Sequence, residues 1–168
     1  MNTHAQNENK FGQWDELPGG GRRYRLDVPG KLGWLARYIK EVDANETTLR
    51  FWQEIYDEQG KRVETHEKYP VDKGHQKVQD AAMTITKQTV ADKIAAYLHY
   101  EITLAQLVDW AEQAMMDGEL AERDAKTLST VIARLGVADV RAFGLAWEDC
   151  EELLRKLGFS PRVEVVAV

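Results

Sequence analysis

The sequence predicts an α+β fold: an antiparallel β meander of about four strands, a C-terminal bundle of four helices, and a final β-strand that joins a sheet. Apolar residues alternate with polar residues in the first half, whereas they recur at helical spacing in the second. A strand-like stretch then follows the helices. These patterns predict a flexible tail over residues 1–19, an antiparallel β domain over residues 20–80 and a helical domain over residues 84–168.

The meander is predicted from four stretches with a period of two, which are residues 22–28, 34–42, 47–56 and 61–69. The second stretch also fits a helical period. We interpret it as a strand because the next stretch is rich in β-branched and aromatic residues, which favour a neighbouring strand. Pro29-Gly30 marks the first turn of the meander, and residues 57–60 mark its last hairpin.

Four amphipathic helices are predicted after residue 84. Thr86 or Thr84 is the expected N-cap of the first, and Thr103 with Gln106 three residues later is a capping box for the second. The last three helices are expected to end at glycines, which are Gly118, Gly136 and Gly158. Short joints between amphipathic helices are typical of a compact bundle.

The stretch 162–168, Arg-Val-Glu-Val-Val-Ala-Val, is predicted to be a strand although only helices precede it. A lone strand leaves its backbone N–H and C=O groups unpaired, so we expect it to pair with the edge of the N-terminal sheet, within the chain or in a second copy. The alternative is a frayed terminus.

The sequence predicts a cytoplasmic globular protein without a cofactor. The net charge is −6, of which residues 1–82, with 13 Lys and Arg and 14 Asp and Glu, carry −1, and residues 83–168, with 9 and 14, carry −5. Nonspecific nucleic-acid binding by the acidic helical half is therefore disfavoured. No apolar run reaches the roughly 20 residues of a membrane span, the start lacks a secretory signal, and the lone Cys150 is expected to be buried.

The best candidate catalytic residues lie at the end of the meander: His66, Lys68, Tyr69 and His75. Two histidines with a lysine and a tyrosine are suited to proton transfer and phosphate binding, as acid–base cleavage of RNA requires. The alternative is a solvated hairpin end followed by a polar connection. The histidine spacing matches no usual zinc pattern, so we predict no metal site.

A candidate binding face comprises Arg23, Arg25, Arg37, Arg50 and Trp52. Arginines interleaved with aromatic residues on one face of a sheet are suited to single-stranded nucleic acid, through stacking and phosphate contacts. The alternative is that these arginines pair with the acidic helices of the same chain, which the uneven charge distribution favours.

Residues 51–75 resemble the TumE-like group of bacterial toxins. The resemblance is carried by Gln-Glu-Ile-Tyr-Asp at residues 53–57, by Gly60, by His-Glu-Lys-Tyr-Pro at residues 66–70 and by Gly-His at residues 74–75. Residues 87–165 resemble a helical antitoxin-like protein through Leu-Val-Asp-Trp-Ala-Glu at residues 107–112 and the stretch at residues 138–145. Met83, just before the first helix, reads as the start of a formerly separate protein or as an ordinary linker residue.

The resemblance implies a toxin–antitoxin type module in one chain, in which the helical half binds and neutralises a toxin-like β half capable of RNA cleavage. Toxin and antitoxin are usually separate chains, so their joining implies a permanently neutralised complex. The alternative is a non-enzymatic interaction or adaptor protein in which both halves share one core. A nucleic-acid-binding regulator is the third possibility. The expected partners are the two halves themselves, within one chain or between copies, and RNA, but no membrane.

Overall fold

The fold is that of a computed structural model, which describes residues 2–70 and 84–164. Five strands form one antiparallel sheet in the order β1-β2-β3-β4-β5. They are β1 (Gln13–Glu16), β2 (Arg22–Pro29), β3 (Leu35–Val42), β4 (Thr48–Tyr56) and β5 (Arg62–Tyr69). Five helices accompany the sheet: α1 (His4–Phe11), α2 (Lys87–Leu98), α3 (Leu104–Asp117), α4 (Ala125–Leu135) and α5 (Trp147–Leu157).

The α+β class and the antiparallel sheet in the first half are confirmed. The ambiguous stretch 34–42 contains a strand, β3, and its register with β4 places Tyr38 opposite Gln53. The sheet has five strands rather than about four, because residues expected to belong to the tail form β1. This short strand pairs with β2 through Asp15 opposite Arg23.

The prediction of a flexible tail is wrong for residues 4–16, which form α1 and β1. Thr3 and Gln6 form a capping box at the start of α1, and Gly12 ends it in the left-handed conformation with φ 78°. Phe11 packs on Tyr24 and Phe51, with ring centroids 5.9 Å and 6.5 Å away. The helix therefore closes one end of the core.

The four helices after residue 84 begin and end close to the predicted positions. Thr86 caps α2, and the predicted capping box of Thr103 and Gln106 is present at α3. These helices pack on one another, and α4 also contacts α1 and β2. A separate four-helix bundle is thus not established. None of the described helices has both the length and the apolar content needed to cross a membrane.

Both halves of the chain contribute to one hydrophobic core. Tyr38 and Phe51 of the sheet lie in the same buried cluster as Ile94, Leu107 and Leu128 of the helices. Cys150 belongs to this cluster and is buried, as predicted. The proposed boundary between domains stays a prediction, because residues 71–83, including Met83, lie outside the described part of the chain.

Two buried lysines join the sheet and α1 to the C-terminal end of α3. The Lys10 ammonium donates to the carbonyl oxygens of Ala114 at 3.0 Å and Gly118 at 2.5 Å. The Lys40 ammonium donates to the Met116 carbonyl at 2.5 Å and to Asn7 Oδ1 at 3.1 Å. Carbonyls in the last turn of a helix lack intrahelical partners and attract cations, so the lysines stabilise this end of α3.

The predicted C-terminal strand is not found in its described part. Residues 161–164 carry no regular secondary structure, and Val163 is 69% exposed. Residues 165–168 lie outside the described part of the chain. Pairing of this segment with the sheet stays a prediction.

Candidate functional site

The face of the sheet that points away from the helices carries all five predicted binding residues. Tyr24, Tyr38 and Phe51 belong to the core that the sheet shares with the helices. Because neighbouring residues of a strand point to opposite faces, the alternate positions face the other way. We call this surface the outer face. It comprises Arg23, Arg25, Arg37, Arg50 and Trp52, together with Ile39, Glu41, Glu54, Arg62 and Glu67.

Each predicted arginine of the outer face contacts a carboxylate of a neighbouring strand. Arg37 holds Asp27 with two hydrogen bonds of 2.6 Å and 2.8 Å. The Arg50 guanidinium likewise binds Glu67 through Nε and Nη2. The remaining pairs are Arg23 with Glu41 at 2.6 Å and Arg25 with Asp15 at 2.5 Å.

Aromatic rings lie beneath this layer of ion pairs. The Arg50 guanidinium lies over the Trp52 ring at 4.2 Å, and that of Arg37 lies over Tyr56 at 5.5 Å. Trp52 and Ile39 are only 6% and 5% exposed, yet neither belongs to the core cluster shared with the helices. Charged side chains of the sheet itself therefore shield an apolar centre on the outer face.

The ion pairs hold the outer face in its charged form. Contact with Asp27 raises the pKa of Arg37. Burial opposes the ionisation of Glu54, but hydrogen bonds from Tyr56 and Trp52 and the pairing with Arg62 outweigh it and lower the pKa of this carboxyl.

The outer face is balanced in charge rather than basic. Arg62 binds Glu54 at 2.8 Å and completes a set of five arginine–carboxylate contacts. All the carboxylates belong to strands, whereas the alternative interpretation expected them on the helices. A phosphate approaching this face meets arginines that already have anionic partners, which disfavours nonspecific nucleic-acid binding.

The predicted catalytic residues on β5 do not form an acid–base pair with one another in the described contacts. His66 Nε2 lies 2.9 Å from Glu64 Oε2, and Tyr69 is 39% exposed. His75 lies outside the described part of the chain.

Lys68 forms an ion pair with Glu112 of α3. The Gln53 amide donates to Glu112 Oε1 at 3.5 Å and to the Gly136 carbonyl at 3.1 Å, so the contact lies between the sheet and the helices. Burial raises the pKa of Glu112, although Lys68 opposes this effect. The ion pair therefore fastens β5 to α3.

Clefts in the described part of the chain lie away from β5. One of 320 Å³ lies between β2, α4 and α5, and one of 620 Å³ lies between α2 and α5. Within residues 2–70 and 84–164, no group of three or more His, Cys, Asp and Glu side chains is arranged to hold a metal ion.

Sequence reasoning missed the partners of the arginines and of Lys68. Asp27 and Arg37 are 10 residues apart, Arg50 and Glu67 are 17 residues apart, and Glu112 belongs to a different half of the chain. The alternation of charges along β2, β3 and β4 was the available signal, but using it requires the register between strands.

Comparisons with protein-family models, with curated proteins and with solved structures find no match to this chain.

Proposed function

We propose that this chain is a protein-interaction module without catalytic activity, and that its contact surface is the outer face. The partner that fits is a protein surface with alternating charges around an apolar centre. The observation that carries this proposal is the shielded centre of Trp52 and Ile39, both at most 6% exposed, surrounded by five arginine–carboxylate contacts. Arginine and tryptophan are enriched at the energetic centres of protein interfaces.

The state of the predicted catalytic residues also supports an interaction protein. Lys68 is engaged by Glu112, and His66 lies against Glu64. One core that includes both halves is the arrangement expected of an adaptor. A cytoplasmic location remains part of this proposal.

A toxin–antitoxin type module is the second candidate, and the Lys68–Glu112 ion pair is the observation that favours it. In that case the Glu112 carboxylate of α3 engages Lys68 of the toxin-like half and prevents this half from acting on RNA. Pairing of residues 162–168 with a sheet edge and a role for His75 belong to this second candidate.

The variant Glu112→Gln in the full chain distinguishes the two proposals. It removes the charge that engages Lys68 and keeps the shape of the side chain. The interaction module predicts normal bacterial growth on expression and no RNA cleavage by the purified variant. A matched control is Glu122→Gln, which changes an exposed carboxylate.

Growth arrest and RNA cleavage by Glu112→Gln, both abolished by adding Lys68→Ala, would instead establish the second candidate. Under the interaction module the variant should behave like the Glu122→Gln control in both assays.

A further inference from the structure

We propose that the outer face binds a second copy of this chain, forming a two-fold symmetric dimer in which the sheets pack face to face. This inference rests on the proposed interaction function and names its partner. A two-fold interface brings the same patch of both copies together, so the patch must complement itself. The register of the sheet allows a direct check of that requirement.

The two-fold axis of this dimer runs parallel to the strands. It lies above the outer face, midway between β3 and β4. It places β3 of one copy over β4 of the second, and β2 over β5. Packed sheets lie about 10 Å apart with strand directions within about 30° of each other, so side chains facing across the axis are in reach.

The positions next to this axis complement one another. Ile39 and Trp52 are register partners, and so are Arg37 with Glu54 and Glu41 with Arg50. The two-fold rotation therefore places Ile39 of one copy opposite Trp52 of the second, with the charged side chains that cover them in between. It also places Arg37 against Glu54 and Glu41 against Arg50, so opposite charges flank an apolar centre.

The positions further from the axis complement one another as well. Arg25 on β2 is the register partner of Ile39, and Glu67 on β5 is the register partner of Trp52, so all four residues lie in one row across the sheet. Arg25 of one copy consequently faces Glu67 of the second. In the adjacent row Asp27 is the register partner of Arg37, and Thr65 is that of Glu54, so Asp27 faces Thr65 of the second copy and Arg62 lies one row further along β5.

The distribution of charge over the chain favours this partner. The chain has a net charge of −6, so two copies repel each other through most of their surfaces. The outer face is locally neutral, so two copies meet there without net repulsion. A second copy can bind only if the charges on β2 and β3 complement those on β4 and β5. An unrelated partner places no such requirement on the sheet.

The test uses the charge reversals Arg25→Glu and Glu67→Arg. Within one chain these residues lie on strands three positions apart, roughly 14 Å at the usual strand spacing. Their ion pairs inside the chain are with different residues, Asp15 and Arg50. One substitution therefore compensates the other only between copies.

We expect the unaltered chain to sediment as a dimer at low salt and to dissociate as salt screens the ion pairs. Each reversal places like charges opposite each other twice per dimer and should weaken dimerisation by roughly 100-fold or more. An equimolar mixture of the two variants should recover the dimer. A control reversal, Arg155→Glu, breaks an exposed ion pair with Glu151 on α5 and should leave the dimer intact.

A chain that stays monomeric at all concentrations up to about 1 mM overturns the proposal, because specific complexes are tighter than that. A mixture of the two variants that stays monomeric overturns it as well, as does a dimer that both reversals leave unchanged. The proposed function is judged separately, by growth and RNA cleavage with Glu112→Gln, so the two failures are distinguishable.

Discussion

The two faces of the sheet meet different surroundings, and neighbouring residues of β4 show the contrast. Phe51 points to the helices and is fully buried in the shared core. Trp52 points to the outer face and is buried beneath Arg50 rather than beneath a helix. The inner face is held by apolar packing and by hydrogen bonds to helix carbonyls, such as that of Tyr38 to Ala133 at 3.0 Å.

This contrast assigns different roles to the two faces. Deep packing cannot be rearranged without a large loss of stability, whereas exposed ion pairs contribute little to stability and much to specificity. The inner face therefore determines whether the chain folds, and the outer face determines what it contacts. Four substitutions sharpen or break that division.

The largest effect is expected from truncating the two neighbours on β4. Phe51→Ala should lower the free energy of unfolding by about 3–5 kcal/mol, the usual cost of a cavity in a packed core. Trp52→Ala should cost less, about 1–2 kcal/mol, because the flexible Arg50 side chain that covers the ring can move into the space it leaves. Unfolding by denaturant measures both values. The protein concentration should be low enough that further dilution does not shift the unfolding midpoint, so that the monomer is measured. Equal losses at the two positions would contradict the division.

A smaller effect is expected for Lys40, which makes the free energy of unfolding depend on pH. Burial lowers the pKa of this ammonium from 10.5 to about 8, while Asp117 and Glu46 oppose the shift. In the unfolded chain Lys40 keeps its proton up to about pH 10. Between pH 8 and 10 the unfolded state therefore binds more protons, and stability rises with pH.

Replacing Lys40 by Met removes this contribution. The unaltered chain should gain about 1–2 kcal/mol of stability relative to Lys40→Met between pH 8 and 10. Both proteins retain all tyrosines. Removing the Lys40 charge also removes one cause of the lowered pKa of Lys10, so the difference reports the two coupled lysines together. Urea unfolding at several pH values gives the comparison, and a difference that does not change with pH would show that Lys40 titrates normally.

The smallest effect on stability is expected for Arg37→Gln on the outer face. Arg37 and Asp27 side chains are 31% and 34% exposed, and exposed pairs contribute about 0–1 kcal/mol. In the proposed dimer Arg37 also faces Glu54 of the second copy, so dimerisation should weaken more than folding does. Thermal unfolding and sedimentation measure the two quantities. A variant that loses stability without any loss of dimerisation would assign Arg37 to the fold alone.

Much of the fold follows from periodicity, and the exceptions have a physical cause. The alternation in residues 34–42 and 47–56 indicated β3 and β4, and the apolar stripes indicated the helices. The helix α1 was missed because two of its three buried residues are polar, Asn7 and Lys10. Their burial depends on acceptors and donors from distant segments, which no local pattern reveals.

Part of the site was also predictable. Strand alternation is sufficient to group Arg23, Arg25, Arg37, Arg50 and Trp52, and the structure places them on one face. Their partners depend on the register, and the neutral balance of the face depends on those partners. The sequence around Lys68 suggests a chemical role for this residue, but its contact with Glu112 exists only through tertiary packing.

The position of Gly136 is predicted correctly, but the physical reason for a glycine there is different. It follows α4, as predicted, but its φ of −72° is helical rather than left-handed. A Cβ at this position would clash with the Tyr38 hydroxyl. Glycine is therefore required for the close approach of the sheet, not for the turn of the backbone.

The end of α4 is connected to the middle of the sheet by two side chains. Tyr38 donates to the Ala133 carbonyl, and Gln53 donates to the Gly136 carbonyl. If the last turn of α4 frayed alone, both buried donors would lose their acceptors at once. Local opening of that turn is consequently costly, and the amide protons of α4 and of the central strands should exchange with solvent in one cooperative event.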